Sequence, residues 1–175
     1  KMLESQMEEA AEAMDFERAA KLRDRIRAVS RMQEKQKVVF KTVEEQDVFS
    51  MAESENTVCL AVLRFSDGRL NDCEHFFFDK TDTPESMMTS AVTSFYSMRQ
   101  NIPRRVTVDG ALEGAADVER WLSEKKGKKV TVFTPQRGEQ VEVVHMCREN
   151  AQEKLALKLG KSGKTVAVLE ELRDL

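Results

Sequence analysis

Between Leu3 and Val29 apolar side chains recur at spacings of three and four, the period of a helix face; from Asp47 onward they form short continuous or alternating runs, the period of strands. Leu3, Met7, Ala10, Ala11 and Met14 fall along one face of a first helix whose other face is acidic. The stripe breaks at Met14-Asp15-Phe16-Glu17 and restarts with Phe16, Ala19, Ala20, Leu22, Ile26 and Val29. Asp15 is placed to accept a hydrogen bond from an unpaired N–H at the start of the second helix. Neither glycine nor proline interrupts this stretch, which is rich in Ala, Glu, Arg and Lys, all good helix formers. Two antiparallel helices share a single seam, so apolar surface remains and must be covered by a partner or by the downstream domain.

The next segment predicts a strand from Asp47 to Ala52 and a nearly all-apolar central strand from Thr57 to Phe65, buried on both faces. Ser66-Asp67-Gly68-Arg69 carries the Asp-Gly hairpin signal and leads into a third strand, Leu70 to Asp79. Its Phe76-Phe77-Phe78 run reads as core filling with one exposed face. Thr83-Pro84-Glu85 opens a helix whose inner face is Met87, Met88, Ala91, Val92, Phe95 and Tyr96. A strand over Arg105 to Asp109, a helix over Asp117 to Lys126 ended by Gly127, and a strand over Lys129 to Thr134 follow. After the turn Pro135-Gln136-Arg137-Gly138, the residues Val141, Val144, Met146, Ala151, Leu155 and Leu159 predict a long helix. Gly160-Lys161-Ser162-Gly163-Lys164 reads as a flexible break before a last amphipathic segment, Val166 to Leu175. Three meandering strands, helix, strand, helix, strand, helix is the order of ribonuclease H-like domains. The expected fold is therefore mixed α+β: an antiparallel helical hairpin (1–37), a five-stranded mixed sheet domain (38–160), and a linker with a helix (161–175).

Composition then narrows the chemistry. With 34% charged and 41% hydrophobic residues the 175-residue chain reads as a cytosolic globular protein, without a secretory leader or an apolar run near the roughly 20 residues that span a bilayer. Beginning at Lys1 inside a helical pattern, it is expected to be a piece of a longer protein. Cys59, Cys73 and Cys147 form no close pair, and with only His75 and His145 beside them no zinc site is expected. Cys59 reads as a small core residue. A net charge of −3 gives no global attraction to phosphate, so nucleic-acid contact would need a local patch. Arg104, Arg105, Lys128, Lys129 and Arg137 are the candidates, whereas Lys125 and Lys126 read as solvated complements of a helix C-terminus. Two-metal phosphodiester hydrolysis needs converging carboxylates. The nearest set, Asp47, Glu85, Asp109 and Glu149, is poorly placed for this, with Asp109 read as closing a turn with Gly110. Asp47 and Asp109 are the weak catalytic candidates, and no resident metal is expected. His75 and His145 lack triad partners.

The stretch Met14-Asp15-Phe16-Glu17-Arg18-Ala19-Ala20-Lys21-Leu22-Arg23-Asp24-Arg25-Ile26 resembles the UVR motif, found in UvrB, in UvrC and in regulators of Clp proteolysis. The zinc-binding cysteine pairs and phosphate-binding loops of Clp-system proteins are absent from this sequence. Pro135, Arg137, Gly138, Asn150 and Ala151 instead resemble the P-x-R-G turn and N-A pair of the UvrC family, although Glu139-Gln140 stand where that family usually has a lysine. The resemblance implies that the hairpin binds a UvrB hairpin through Met14, Phe16, Glu17, Ala19, Ala20, Arg23, Asp24 and Ile26, with Phe16 as anchor and Arg23 and Asp24 setting orientation. It further implies a non-catalytic, cofactor-free scaffold within a magnesium-dependent endonuclease of bacterial nucleotide excision repair, acting on damaged DNA. Two rival expectations are a cryptic metal-dependent nuclease using Asp47 and Asp109, and a regulator of Clp proteolysis.

Overall fold

A computed structural model describes residues 2–35 and 45–173, with side chains described for 2–33 and 45–161. The boundary expected at residues 37 and 38, and the side chains of the segment from Val166, lie outside the described residues.

Helices α1 (Met2–Glu12) and α2 (Phe16–Lys35) form the hairpin. Its turn places Met14 at φ 57°, and Asp15 caps α2 by accepting from the Arg18 N–H at 3.1 Å. Leu3, Ala10 and Leu22 make the hairpin's own small core, with Met7, Ala19 and Ile26 packed against it.

Five strands follow: β1 (Glu45–Glu53), β2 (Thr57–Ser66), β3 (Arg69–Asp79), β4 (Arg105–Val108) and β5 (Thr131–Phe133), in the sheet order β3-β2-β1-β4-β5. β1 runs antiparallel to β2 and parallel to β4, as the element order predicts. The β2–β3 turn has positive φ at both Asp67 (52°) and Gly68 (72°), the mirror-image turn that matches strand twist. Between Arg64 and Phe65 the pairing skips Asn71 of β3, and this bulge lets Leu70 and Cys73, three residues apart, both enter one core.

Helices α3 (Pro84–Ser97) and α4 (Ala115–Lys126) cover one face of the sheet, over Phe49, Leu60, Val62, Val106 and Val108. Thr83 caps α3 by accepting from the Ser86 N–H, with Pro84 at the first position. The second half of α2 and helix α5 (Glu139–Arg173) cover the other face, over Val48, Ala61, Leu63, Leu70 and Cys73. β2, covered on both sides, is buried along nearly its whole length.

The apolar surface that the sequence leaves to a partner or to the downstream domain is covered in part by the latter: Ala28, Val29 and Met32 of α2 lie in the sheet core, so the hairpin docks on its own domain through that half and keeps only the other half apart. One expectation is corrected. Helix α5 runs through Gly160 without the expected break. The helix runs through both Gly160 and Gly163, which together cost about 2 kcal/mol relative to alanine, too little to stop a helix of this length. No helix among the described residues is long and apolar enough to cross a membrane.

Candidate functional site

The hairpin tip is its most exposed apolar surface. Met14 is 77% and Phe16 70% exposed, because the turn projects both away from the seam. Glu17 is exposed and pairs with Lys21 at 2.8 Å, and the Arg23 guanidinium holds its neighbour Asp24 at 3.2 Å in the open. Such surface pairs contribute little stability and leave their charges available. Ala19, Ala20 and Ile26 are half-buried, Ala19 and Ile26 against the hairpin's own core.

Arg25, a neighbour of the expected contact residues, has a different task. Its guanidinium reaches around the outer margin of β3, donating from Nε to Asp72 Oδ1 at 3.0 Å and from Nη2 to Asp72 Oδ2, with Glu74 at 3.5 Å. Glu74 also takes Arg99, just beyond the end of α3, at 2.8 Å. Gln33 adds a bond to the Leu70 carbonyl at 2.6 Å. Periodicity misses this clasp, since Asp72 is 47 residues downstream of Arg25.

The two acids considered for catalysis are not brought together. Asp47, 2% exposed, turns toward α3 and accepts from Arg64 Nε at 3.3 Å and Tyr96 Oη at 2.6 Å. Burial nevertheless pushes its carboxyl above the usual carboxylate range. Asp109 turns toward α5, accepting from Ser50 Oγ at 2.5 Å and from Arg148 Nε at 2.7 Å, while the backbone bends at Asp109-Gly110 with Gly110 at φ 91°. Glu85 sits in the first turn of α3 and Glu149 pairs with His145 at 3.4 Å. Among the described residues no three His, Cys, Asp or Glu side chains converge as metal ligands.

Four of the five expected basic residues do gather. Arg105 is in register with Thr131, and the Thr131 N–H donates to the Arg104 carbonyl at 2.9 Å, so Arg104 and Arg105 lie beside Lys128 and Lys129 at the start of β5. Arg137 stands beyond the other end of β5. Lys125 is not a solvated complement of its own helix end: its Nζ bonds the Tyr96 and Ser97 carbonyls at 2.5 and 2.6 Å, and Lys126 bonds the Ile102 carbonyl. The last carbonyls of α3 lack the regular helical donors and draw the Lys125 ammonium group, whereas Ile102 lies in the segment between α3 and β4.

Asn150 and Ala151 also find structural work. Ala151 is fully buried against the sheet, and Asn150 Oδ1 accepts from His75 Nε2 at the margin of α5. Burial lowers the His75 imidazole below its usual range. A folded-state value below the unfolded one means the unfolded chain binds the extra proton first, so stability present above about pH 6.5 falls as the pH drops through that value. Urea melts at pH 7.5 and pH 5 should show this loss, and His75→Gln should reduce it; an identical loss in the variant would clear His75. Burial pushes the Cys59 thiol up to about 11 and Cys73 up to about 12, so both act as packing.

Comparison with known proteins follows this anatomy. The family description "UvrC Ribonuclease H-like domain" matches residues 45–158, the sheet and its helices, and "UvrB/uvrC motif" matches residues 1–31, the hairpin. The UvrABC system protein C of Acetivibrio thermocellus is 38% identical over 153 residues, covering 86% of this chain and 24% of the relative. That of Thermoanaerobacter pseudethanolicus is 39% identical over 155 residues, covering 87% and 25%. The protein of the same name from Clostridioides difficile is 36% identical over 182 aligned positions, covering 99% and 30%. This chain thus spans about a quarter of the length of the curated relatives it matches. With the hairpin and the sheet domain each matched in place and in order, the chain belongs to the UvrC family.

Proposed function

We propose that this chain is the segment of a UvrC-type excision-repair protein that docks onto UvrB, and that its sheet domain is a non-catalytic mount setting the direction of the hairpin. The observation that carries this reading is the tip: two large apolar side chains, Met14 and Phe16, held in water by a hairpin whose other half is fixed to the sheet. Exposed apolar groups on a rigid support suit binding, because little conformational freedom remains to be lost on association. Asp47 and Asp109, each committed to an arginine and turned to opposite layers, support the non-catalytic part. Magnesium, damaged DNA and a cytosolic location belong to the proposed whole protein.

The test is titration of the isolated C-terminal hairpin of UvrB against this chain and its Phe16→Ala variant. A central aromatic anchor is worth at least about 2 kcal/mol, so the variant should bind about thirtyfold more weakly or worse. Its own melting should hardly change, since an exposed substitution stays within about 0.5 kcal/mol. Equal affinities would remove the tip from the interface. Binding to a Clp ATPase or a kinase instead of UvrB would replace the proposed partner.

A further inference from the structure

The basic cluster at the start of β4 and β5 is not used by the hairpin reading and is independent of it. Arg104, Lys128 and Lys129 are exposed and Arg105 is half-buried, four cations on two adjacent strand starts in a chain of net charge −3. Among the described residues, Glu45 lies 3.8 Å from Lys126, and Glu119 Oε2 accepts from the Val132 N–H at 2.8 Å. On β5, the strand that the lysines lead into, Phe133 is 37% exposed, with the Arg105 guanidinium 5.6 Å from its ring centre. Helix α5 packs on β1 and β2, while Thr131 and Phe133 stay exposed at the sheet's end. From Lys129 to Phe133 is roughly 13 Å at strand rise, and adjacent strands lie about 4.8 Å apart. The cations and the ring therefore share one small surface.

We propose that this margin of β4 and β5 binds single-stranded nucleic acid, the cations Arg104, Arg105, Lys128 and Lys129 meeting consecutive phosphates and the Phe133 ring stacking on a base. Phosphates supply the charge complement to the cluster. The exposed ring selects unpaired strands, because a base inside a duplex already has neighbours on both faces and cannot reach it. Basic residues alone would favour duplex and single strand alike; the aromatic beside them distinguishes the two.

The experiment is fluorescence anisotropy of the whole chain with labelled oligothymidine, and with the same strand paired into a duplex, across a salt series. Four phosphate contacts on a single strand give a log–log salt slope of about −3, at about 0.7 per contact. Lys128→Ala/Lys129→Ala should weaken single-strand binding about tenfold or more and reduce the slope by about 1.4. Phe133→Leu, which keeps an apolar side chain against the strand, should weaken it by about five- to a hundredfold and remove the preference over duplex. Arg18→Ala/Arg27→Ala, which takes the same charge from the hairpin, should leave affinity within about twofold. The proposal is overturned if the lysine variant binds with unchanged affinity and slope, if the hairpin variant loses as much, or if wild type binds duplex as tightly as single strand. Unchanged binding by Phe133→Leu overturns the base-stacking role.

Discussion

Arg25→Ala should destabilise the protein by about 3 kcal/mol, and the loss should appear first in the hairpin. Removing one partner of a buried ion pair typically costs about 3–5 kcal/mol, because the other charge is left without compensation. Asp72, with a side chain only 7% exposed, would keep the Cys73 N–H at 2.8 Å but lose both guanidinium bonds. Glu74 would keep Arg99. Since the Arg25 side chain retains 29% exposure, water offsets part of the effect and the lower end of the range applies. Arg25→Lys keeps the charge but not the two-pronged geometry and should fall between. Urea midpoints give the magnitude, and amide hydrogen exchange gives the place: α1 and α2 should lose protection before β1 and β2 do. Protection lost evenly over the whole chain, or no change in midpoint, would show that the clasp does not hold the hairpin.

Asp47→Ala is expected to cost about 3–5 kcal/mol, by the same physics in a drier place. The Tyr96 hydroxyl is fully buried, and among the described residues it donates to Asp47 Oδ2 at 2.6 Å. Arg64 would keep only the Asn101 carbonyl at 3.3 Å. The raised carboxyl of Asp47 indicates that its partners do not fully offset desolvation. Hence the group as a whole contributes less than its deletion suggests: the triple change Asp47→Leu/Arg64→Met/Tyr96→Phe should recover most of the single variant's loss. Thermal or urea melts of the single and triple variants decide the matter. A triple variant no more stable than Asp47→Ala would mean that these three residues set the fold's packing rather than only satisfying one another.

Much of the architecture was legible because it is written locally. Asp15 and Thr83 cap helices where their positions predict, the Asp67-Gly68 turn follows from φ alone, and the apolar run of β2 forecasts a strand covered on both sides. What periodicity does not specify is what covers an apolar face. Val29 belongs to the same helical stripe as Phe16, yet Val29 is sealed against the sheet while Phe16 stands in water. The polar look of Glu45-Gln46-Asp47 conceals that Gln46 and Asp47 are fully enclosed, because their partners Thr107, Arg64 and Tyr96 come from distant elements. The UVR-like stretch identifies Phe16 as outward by resemblance, but gives no hint that Arg25 inside it grips β3. The basic residues are visible as a list; only the parallel pairing of β4 with β5 makes them a patch.

The clasp has one more consequence. β3 is the last strand on its side of the sheet, and along such a boundary the backbone offers ready bonds to any other strand that drifts alongside. A guanidinium and two carboxylates folded over its first half make that half a poor template. The second half carries Phe76, Phe77 and Phe78, over which the described residues place only single cations, Lys158 Nζ 4.2 Å from the Phe77 ring centre and the Arg99 guanidinium 5.9 Å from that of Phe76. Loosening the grip would therefore lengthen the sticky rim, so the protein's colloidal behaviour at high concentration is tied to a single arginine in the hairpin.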